Sequence, residues 1–392
     1  MNKYGLIGFA LTLVFVAQAK ADFIYRLSDD QKSSAHILEA LDRAGVKDKI
    51  PQINVFVTER LIEQKLDIRS LGTVKTIQLP ETRTRSLASS LWGMRAIQAE
   101  EAWALSQGEG IIVGVSDTGI DGDHPDLAQN MWINKDEIPG NNIDDDGNGY
   151  VDDIQGWNFV KKRPGGTDNH YHGTHVAGTI GAKVGEKISG VAPKVTLMDA
   201  SFLGASGSGK DADGAKSIIY LVDNGAKVIN CSWGGPGESP IIEEAIKYAM
   251  NKGVLVVVAA GNNSSNNDRK KFFPATSNVE NILAVAASSN EAGAKASFSN
   301  FGKTTVEVAA PGGSIRSTSP SSSQKARYRT LSGTSMASPH VAGIAALVWS
   351  RHPAMDWAQV KETVVGTVKF NKNWATKVSS AGVANALNAV SQ

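Results

Sequence analysis

Three short segments carry the residue types of a nucleophilic relay. Ile111-Ile-Val-Gly-Val-Ser-Asp-Thr-Gly-Ile-Asp is an apolar run that ends in Asp117. His170-Tyr-His-Gly-Thr-His-Val-Ala-Gly gathers His170, His172 and His175 at the start of a small-residue helix. Ser332-Gly-Thr-Ser-Met-Ala-Ser-Pro-His-Val-Ala-Gly leads through Ser335 into the apolar stretch Val341–Trp349. A serine hydroxyl is a poor nucleophile until a positioned base takes its proton, and that base must then protonate the leaving amine. A carboxylate opposite the imidazole fixes the tautomer that faces the serine. Singly, each residue has an ordinary reading: an aspartate that ends a strand forms a turn, and a serine before a helix is an N-cap. Histidines three apart share a helix face and suit a metal, although no HExxH pattern is present.

A second chemistry lies between these segments, in Asn142-Ile-Asp-Asp-Asp-Gly-Asn-Gly-Tyr-Val-Asp-Asp. Asp144, Asp146 and Asn148 fall at positions 1, 3 and 5 of a calcium loop, with Gly149 at 6 and the Tyr150 carbonyl at 7. Gln155 occupies position 12, so Asp152 or Asp153 must close the oxygen shell. Clustered carboxylates repel unless a cation is bound. A structural calcium ion is therefore expected, against the alternative of a solvated acidic turn, and no organic cofactor is called for.

The elements that must hold these groups are buried strands. Ile111–Val115, Val195–Met198, Lys227–Ile229, Val254–Val258 and Ile282–Ala286 are short β-branched runs separated by helical or loop segments. Being mostly apolar rather than alternating, they read as parallel strands covered on both faces, an α/β sheet. Ligands bind such a sheet in the crevice beyond the carboxyl ends of its strands, where Asp117 falls. With 392 residues, 41% of them hydrophobic and 20% charged, the chain has material for a large core and is not disordered overall. Lys+Arg (40) and Asp+Glu (39) give a net charge of +1, so the totals do not point to nucleic acid. A lone cysteine, Cys231, excludes an intrachain disulfide and reads as a buried, inert thiol.

The N-terminal part differs in texture. Residues 1–21 combine an early lysine, an apolar run from Leu6 to Ala17, and Ala19 and Ala21 placed as a cleavage site, which is a secretory signal. The apolar run is too short for a stable membrane anchor, so a periplasmic or extracellular protein is expected. From Asp22 to about Arg85 the apolar runs Phe23–Leu27, Ile53–Val57 and Val74–Leu79 alternate with helical stretches Gln31–Ala44 and Glu59–Ile68, a small α+β unit. Pro80-Glu-Thr-Arg-Thr-Arg-Ser-Leu-Ala-Ser-Ser then reads as an exposed, cleavable linker, with cleavage near Ser86–Ser90.

Taken together, SDTGIDGDHPDL at Ser116–Leu127, HGTHVAG at His172–Gly178 and GTSMASPHVAG at Gly333–Gly343 resemble the three signatures of the subtilisin-like serine proteases, in that family's order. The resemblance runs from about Leu91 to Val390. It implies a three-layer subtilisin-like α/β fold with a central, mostly parallel sheet over residues 87–392, preceded by a small α+β prodomain over 22–86. It makes Ser335 the nucleophile, His172 the base and acid, Asp117 the orienting carboxylate and Asn262, in Ala-Ala-Gly-Asn, an oxyanion donor; His175 and His340 match structural histidines. It places Ser232, Trp233 and Gly234 at the substrate, with Trp233 where many relatives carry a smaller aliphatic residue. Asp126 matches a further calcium ligand, although its partner loop Lys183–Ser189 lacks the usual asparagines. The function implied is a secreted, monomeric serine endopeptidase acting on protein or peptide substrates. It would be made as a zymogen whose propeptide inhibits and then is cut away by the enzyme itself. The neutral pocket segment predicts broad specificity with an apolar or aromatic lean. The competing readings are a selective maturation protease, a calcium-dependent binding protein that has lost catalysis, and a metal hydrolase using the histidine cluster.

Overall fold

The β-branched runs stack into one large sheet, and the N-terminal unit docks on a helical face beside it. The computed structural model describes residues 22–28, 31, 35–62, 68–81, 83–84, 91–320 and 327–392. The expected signal segment 1–21 and residues 82 and 85–90 of the expected linker lie outside the described residues.

In the N-terminal unit, β1 (Phe23–Arg26), α1 (Ala35–Ala44), β2 (Val46–Ile50), β3 (Val55–Thr58) and β4 (Arg69–Thr73) form a helix and a four-stranded antiparallel sheet of order β2-β3-β1-β4. Two of these four strands, β1 and β3, match apolar runs legible in the sequence. The two that were missed, Val-Lys-Asp-Lys-Ile and Arg-Ser-Leu-Gly-Thr, bury one residue each and carry no apolar run. The run Val74–Leu79 does not join this sheet: β5 (Thr76–Gln78) pairs antiparallel with Ser208–Lys210 of the larger domain. The expected helix Glu59–Ile68 is not formed at Glu59–Ile62, and residues 63–67 lie outside the described ones.

The unit has a small core of its own, Leu27, Ile37 and Leu41. Its other face, Ile24, Val55, Val57 and Leu71, is continuous with the core of the larger domain. Around that seam Arg26 pairs with Glu244, Lys216 pairs with Asp48, and the Lys75 N–H donates to Asp211 Oδ1 at 2.9 Å. Burying one face of a sheet this way stabilises the small unit by its docking more than by its own interior.

The larger domain continues through β6 (Arg83–Thr84), α2 (Trp92–Ala96), α3 (Ala99–Ala102), β7 (Ile112–Asp117), β8 (Gly156–Asn158), β9 (Arg163–Pro164), α4 (His172–Gly181) and β10 (Thr196–Ser201). Next come β11 (Ser208–Lys210), α5 (Asp211–Asp223), β12 (Val228–Cys231), α6 (Pro240–Asn251), β13 (Leu255–Ala259), β14 (Ile282–Ser288) and β15 (Val308–Pro311). The chain ends with β16 (Ile315–Thr318), β17 (Tyr328–Ser332), α7 (Thr334–Arg351), α8 (Trp357–Gly366), β18 (Lys369–Phe370), β19 (Gly382–Val383) and α9 (Ala386–Val390).

Ten strands form the sheet β18-β19-β15-β14-β13-β12-β7-β10-β8-β9, parallel except for its outermost strands. Val113, Val115, Leu255, Val257, Leu283 and Val285 face a core shared with α4 and α7. Ile229, Val256, Val258, Ala284 and Ala286 face the core of α5 and α6. Those two covered faces are why the strands read as continuous apolar runs, and they make the domain three layers. The chain builds β8 and β10 on one side of β7 and then crosses to β12 on the other. The carboxyl end of β7 is therefore a topological switch point, and Asp117 is its last residue.

Candidate active site

Asp117 is fully buried, and its Oδ1 accepts the Thr118 N–H and His172 Nδ1–H, each at 2.8 Å. With Nδ1 donating, the imidazole presents Nε2 as its free acceptor, and that atom has no partner among the described residues. His172 is the first residue of α4, and its placement depends on a close backbone crossing. A Cβ on Gly173 would lie 2.2 Å from the Gly119 carbonyl oxygen, so only glycine permits the approach that brings β7 and α4 together. The Gly173 N–H donates to Thr118 Oγ1 at 2.9 Å across the same crossing.

Sequence reasoning missed Asp168, which organises this turn. Its Oδ1 accepts from the His170 and Tyr171 N–H groups at 2.8 and 3.1 Å and from Thr118 Oγ1 at 3.0 Å. Its Oδ2 accepts from the Thr174 N–H at 3.1 Å and Thr174 Oγ1 at 2.7 Å. Tyr171, between the two, sits at φ 147°, a conformation that costs free energy in a non-glycine residue and persists only when its surroundings hold it. The Asp168 bonds and the Arg329 guanidinium, 4.0 Å from the Tyr171 ring centroid, supply that hold. Burial pushes the Asp168 carboxyl up from its ordinary value. Asp168 lies four residues before the helix starts, outside the usual cap position, so no capping pattern marks it.

Ser335 is the second residue of α7 and is fully buried. Its hydroxyl donates to the Ser232 carbonyl at 2.9 Å, leaving His172 Nε2 unpaired. Ser232 is a bracket for this helix: its Oγ donates to the Ser335 carbonyl at 2.9 Å and meets Ser338 Oγ at 2.8 Å. Asn262 follows β13 and is clamped at the start of α7, where its Oδ1 accepts Thr334 N–H and Oγ1, both at 2.9 Å. With the oxygen so engaged, Nδ2 points outward as a donor, and it takes the Glu81 carbonyl at 2.7 Å.

The remaining residues expected at the substrate separate. Gly234 lines a cavity of about 490 Å³ with Gly235, Asn263, Phe272, Phe273 and the chain at residues 75–81. A Cβ on Gly234 would sit 2.5 Å from the Phe273 carbonyl oxygen, which explains the glycine there. Trp233 is a correction: its side chain has no exposed surface, donates to the Ser116 carbonyl at 2.8 Å and packs edge-on against Phe202. It belongs to the core beneath β7 and does not set the width of the cavity. Cys231 is buried, and burial pushes its thiol up, away from the reactive thiolate.

The histidine cluster is not arranged for a metal. Buried His175 offers Nε2 to the Ile315 and Arg329 carbonyls at 3.1 Å, and burial lowers its pKa to about 3. His340 Nδ1 bonds the Met336 carbonyl at 2.8 Å, and burial lowers its pKa to about 4.

The acidic insert does converge, on a different set of residues from that expected. Carboxylate oxygens of Glu137, Asp146 and Asp153 lie within 4.8 Å of one another, with Glu137 and Asp153 buried. Asn134 Nδ2 contacts Asp146 and Asp153 at 2.9 and 2.7 Å, and Asn148 Nδ2 contacts the same pair at 3.0 and 3.1 Å. Burial pushes the Asp153 carboxyl up. Three convergent carboxylates, two buried and Asp146 open to solvent, are a donor set that fits a hard divalent cation. Asp144 and Asp152 are not members: Asp144 accepts the Asn148 and Gly149 N–H groups, and Asp152 those of Gly140, Asn141 and Asn142. Tyr150 anchors the loop through its ring, against Trp157, Phe159 and Tyr220. Glu137 was missed because it precedes the loop pattern. Asp126 accepts the Tyr328 hydroxyl at 2.6 Å and lies 3.9 Å from Lys183 Nζ, which engages the carboxylate expected at a further calcium site.

With this geometry in place, residues 108–388 match a sequence-family model described as the subtilase family. The chain is 38% identical over 266 residues to thermitase of Thermoactinomyces vulgaris, covering 67% of this chain and 84% of thermitase. It is 34% identical over 394 residues to M-protease of Shouchella clausii, covering 98% and 90%. Among solved structures it superposes on fervidolysin from Fervidobacterium pennivorans, a keratinolytic enzyme related to subtilisin, with TM-score 0.77 and 27% identity. That match covers 95% of this chain and 61% of the fervidolysin chain. No helix among the described residues is long and apolar enough to cross a membrane.

Proposed function

We propose an Asp117–His172–Ser335 triad mechanism for this chain, which belongs to the subtilase family and is a serine endopeptidase acting on protein or peptide substrates. The observation that carries the proposal is the buried 2.8 Å bond from His172 Nδ1 to Asp117, with Nε2 left free. Rotation of the Ser335 side chain away from the Ser232 carbonyl brings its hydroxyl to Nε2. His172 then takes the proton as Oγ adds to the substrate carbonyl, and Asp117 stabilises the imidazolium. The oxyanion is received by Asn262 Nδ2 and by the N-terminus of α7, whose dipole favours negative charge there. His172 returns the proton to the departing amine, and water releases the acyl group by the same steps in reverse.

The small N-terminal unit acts in this reading as an inhibitory propeptide of a self-processing, exported and monomeric zymogen. Its support is the shared core and the tail that reaches Asn262. Glu137, Asp146 and Asp153 would hold a calcium ion, with the Asn134 and Asn148 carboxamides beside them. When bound, the ion neutralises the cluster and stiffens residues 134–153, and it takes no part in hydrolysis. The wall of the cavity beside Gly234 includes Gly235, Phe272 and Phe273, which favours broad specificity with an apolar or aromatic lean. The test is hydrolysis of a peptide library by the matured enzyme, with Ser335→Ala and His172→Ala beside it. Loss of cleavage in both variants supports the triad, and a strict requirement for Arg or Lys at the cut contradicts the pocket reading.

A further inference from the structure

The tail of the N-terminal unit runs through the site with its backbone engaged on both sides of one residue. Upstream, Thr76–Gln78 pairs antiparallel with Lys210–Ser208, and the Leu79 N–H donates to the Gly207 carbonyl at 2.9 Å. Downstream, Arg83–Thr84 pairs antiparallel with Ser332–Leu331, in the strand that ends three residues before Ser335. Between the two, the Glu81 carbonyl accepts from Asn262 Nδ2 at 2.7 Å. An extended chain added as a strand on each side of a nucleophile is the posture of a bound peptide substrate, held by main-chain bonds and so largely indifferent to side chains.

We infer that the bond on the carboxyl side of Glu81 is the one that Ser335 cuts to separate the two units. The inference rests on the triad reading above. It moves the processing site upstream of the Ser86–Ser90 stretch that linker composition singles out. Ser335 Oγ adds to the Glu81 carbonyl carbon as its proton passes to His172, and the bond to the nitrogen of residue 82 breaks as that nitrogen takes the proton. Water then cleaves the Glu81–Ser335 ester, so that one peptide bond and one water yield the Glu81 carboxylate and a new amino terminus at Thr82. Because the tail is tethered to its own active site, the step is unimolecular and draws on a high effective concentration. A glutamate can therefore occupy the acyl position in self-processing even though free substrates are chosen differently.

The experiment follows the full chain and its Ser335→Ala variant by mass spectrometry over a hundredfold range of protein concentration. The earliest wild-type product is expected to begin at Thr82, at a first-order rate independent of concentration, while Ser335→Ala stays intact. Thr82→Pro, which places a poorly cleaved bond at the same point, is expected to slow the first cut at least a hundredfold, and Arg85→Pro less than threefold. A first product beginning at residues 86–90, or the reverse ranking of the two proline variants, overturns the site and leaves the triad standing if peptides are still hydrolysed. Cleavage of Ser335→Ala after Glu81 at the wild-type rate overturns self-processing. An intact wild-type chain that hydrolyses no peptide strikes instead at the triad reading itself.

Discussion

Gly173→Ala tests whether the catalytic contact depends on the backbone crossing of β7 and α4. The added Cβ would lie 2.2 Å from the Gly119 carbonyl oxygen and 3.0 Å from its nitrogen, whereas ordinary contacts begin near 3.4 Å. Both groups are backbone, so no side chain can swing aside, and the two segments must part by about 1 Å. Gly173 adjoins His172, and Gly119 is two residues beyond Asp117. A comparable shift would stretch the 2.8 Å Nδ1–Oδ1 contact beyond hydrogen-bonding range. A 1 Å misplacement costs roughly a hundredfold in rate, about 2.7 kcal/mol of barrier, and overpacking destabilises by about 1–3 kcal/mol. Gly366→Ala, where an added methyl meets nothing within 4 Å, serves as the control. The assay is kcat/KM on a chromogenic peptide per site titrated with a serine-directed phosphonate, alongside thermal unfolding. A Gly173→Ala enzyme that hydrolyses within threefold of wild type at unchanged Tm refutes the reasoning.

Asn262→Ala is expected to lower kcat about 10²–10³-fold with little change in KM, a magnitude measured for the corresponding donor in subtilisin itself and adopted for this chain; a loss confined to KM would contradict the oxyanion role. Adding calcium at a hundred times its Kd should stabilise the folded chain by about 2.7 kcal/mol, an effect that Glu137→Gln largely removes, and equal Tm values with calcium and with chelator would eliminate the site. Buried His175 and His340 drop from 6.5 to about 3 and about 4, so each stabilises the fold above pH 6.5 and loses that contribution as pH falls. Between pH 8 and 5 each forfeits about 2 kcal/mol, opposed by Asp168 and Asp199, whose raised values favour the acid side. In denaturant titrations of proteolytically inert Ser335→Ala protein, His340→Gln should therefore shrink the acid loss by about 2 kcal/mol, and an unchanged loss would exclude the assignment.

Much of this site is legible in the chain because its parts lie where local patterns are strongest. β7, β12, β13 and β14 are buried on both faces, so they read as apolar runs, and the residues at their ends fall in the crevice by topology. Asp168 and Glu137 escaped because their roles are set by bonds to backbone N–H groups and to carboxylates that only folding brings near. Trp233 misled because position in a segment expected to line the substrate says nothing of which way a side chain turns, and here the Ser116 carbonyl draws the indole inward. β2 and β4 escaped because strands pinned against a neighbouring domain need only one buried residue each. The tail was read as a loose linker, but its partner strands lie more than a hundred residues away.

The central claim is that one hydroxyl, Ser335, is made nucleophilic by His172 and Asp117. Its most direct measurement is peptide mapping of the matured enzyme after titration with a fluorophosphonate. One equivalent bound to the Ser335 peptide, with activity falling in proportion and no labelling of His172→Ala, is the predicted result. Hydrolysis that continues after full labelling of Ser335, or label carried on any other residue, would contradict it.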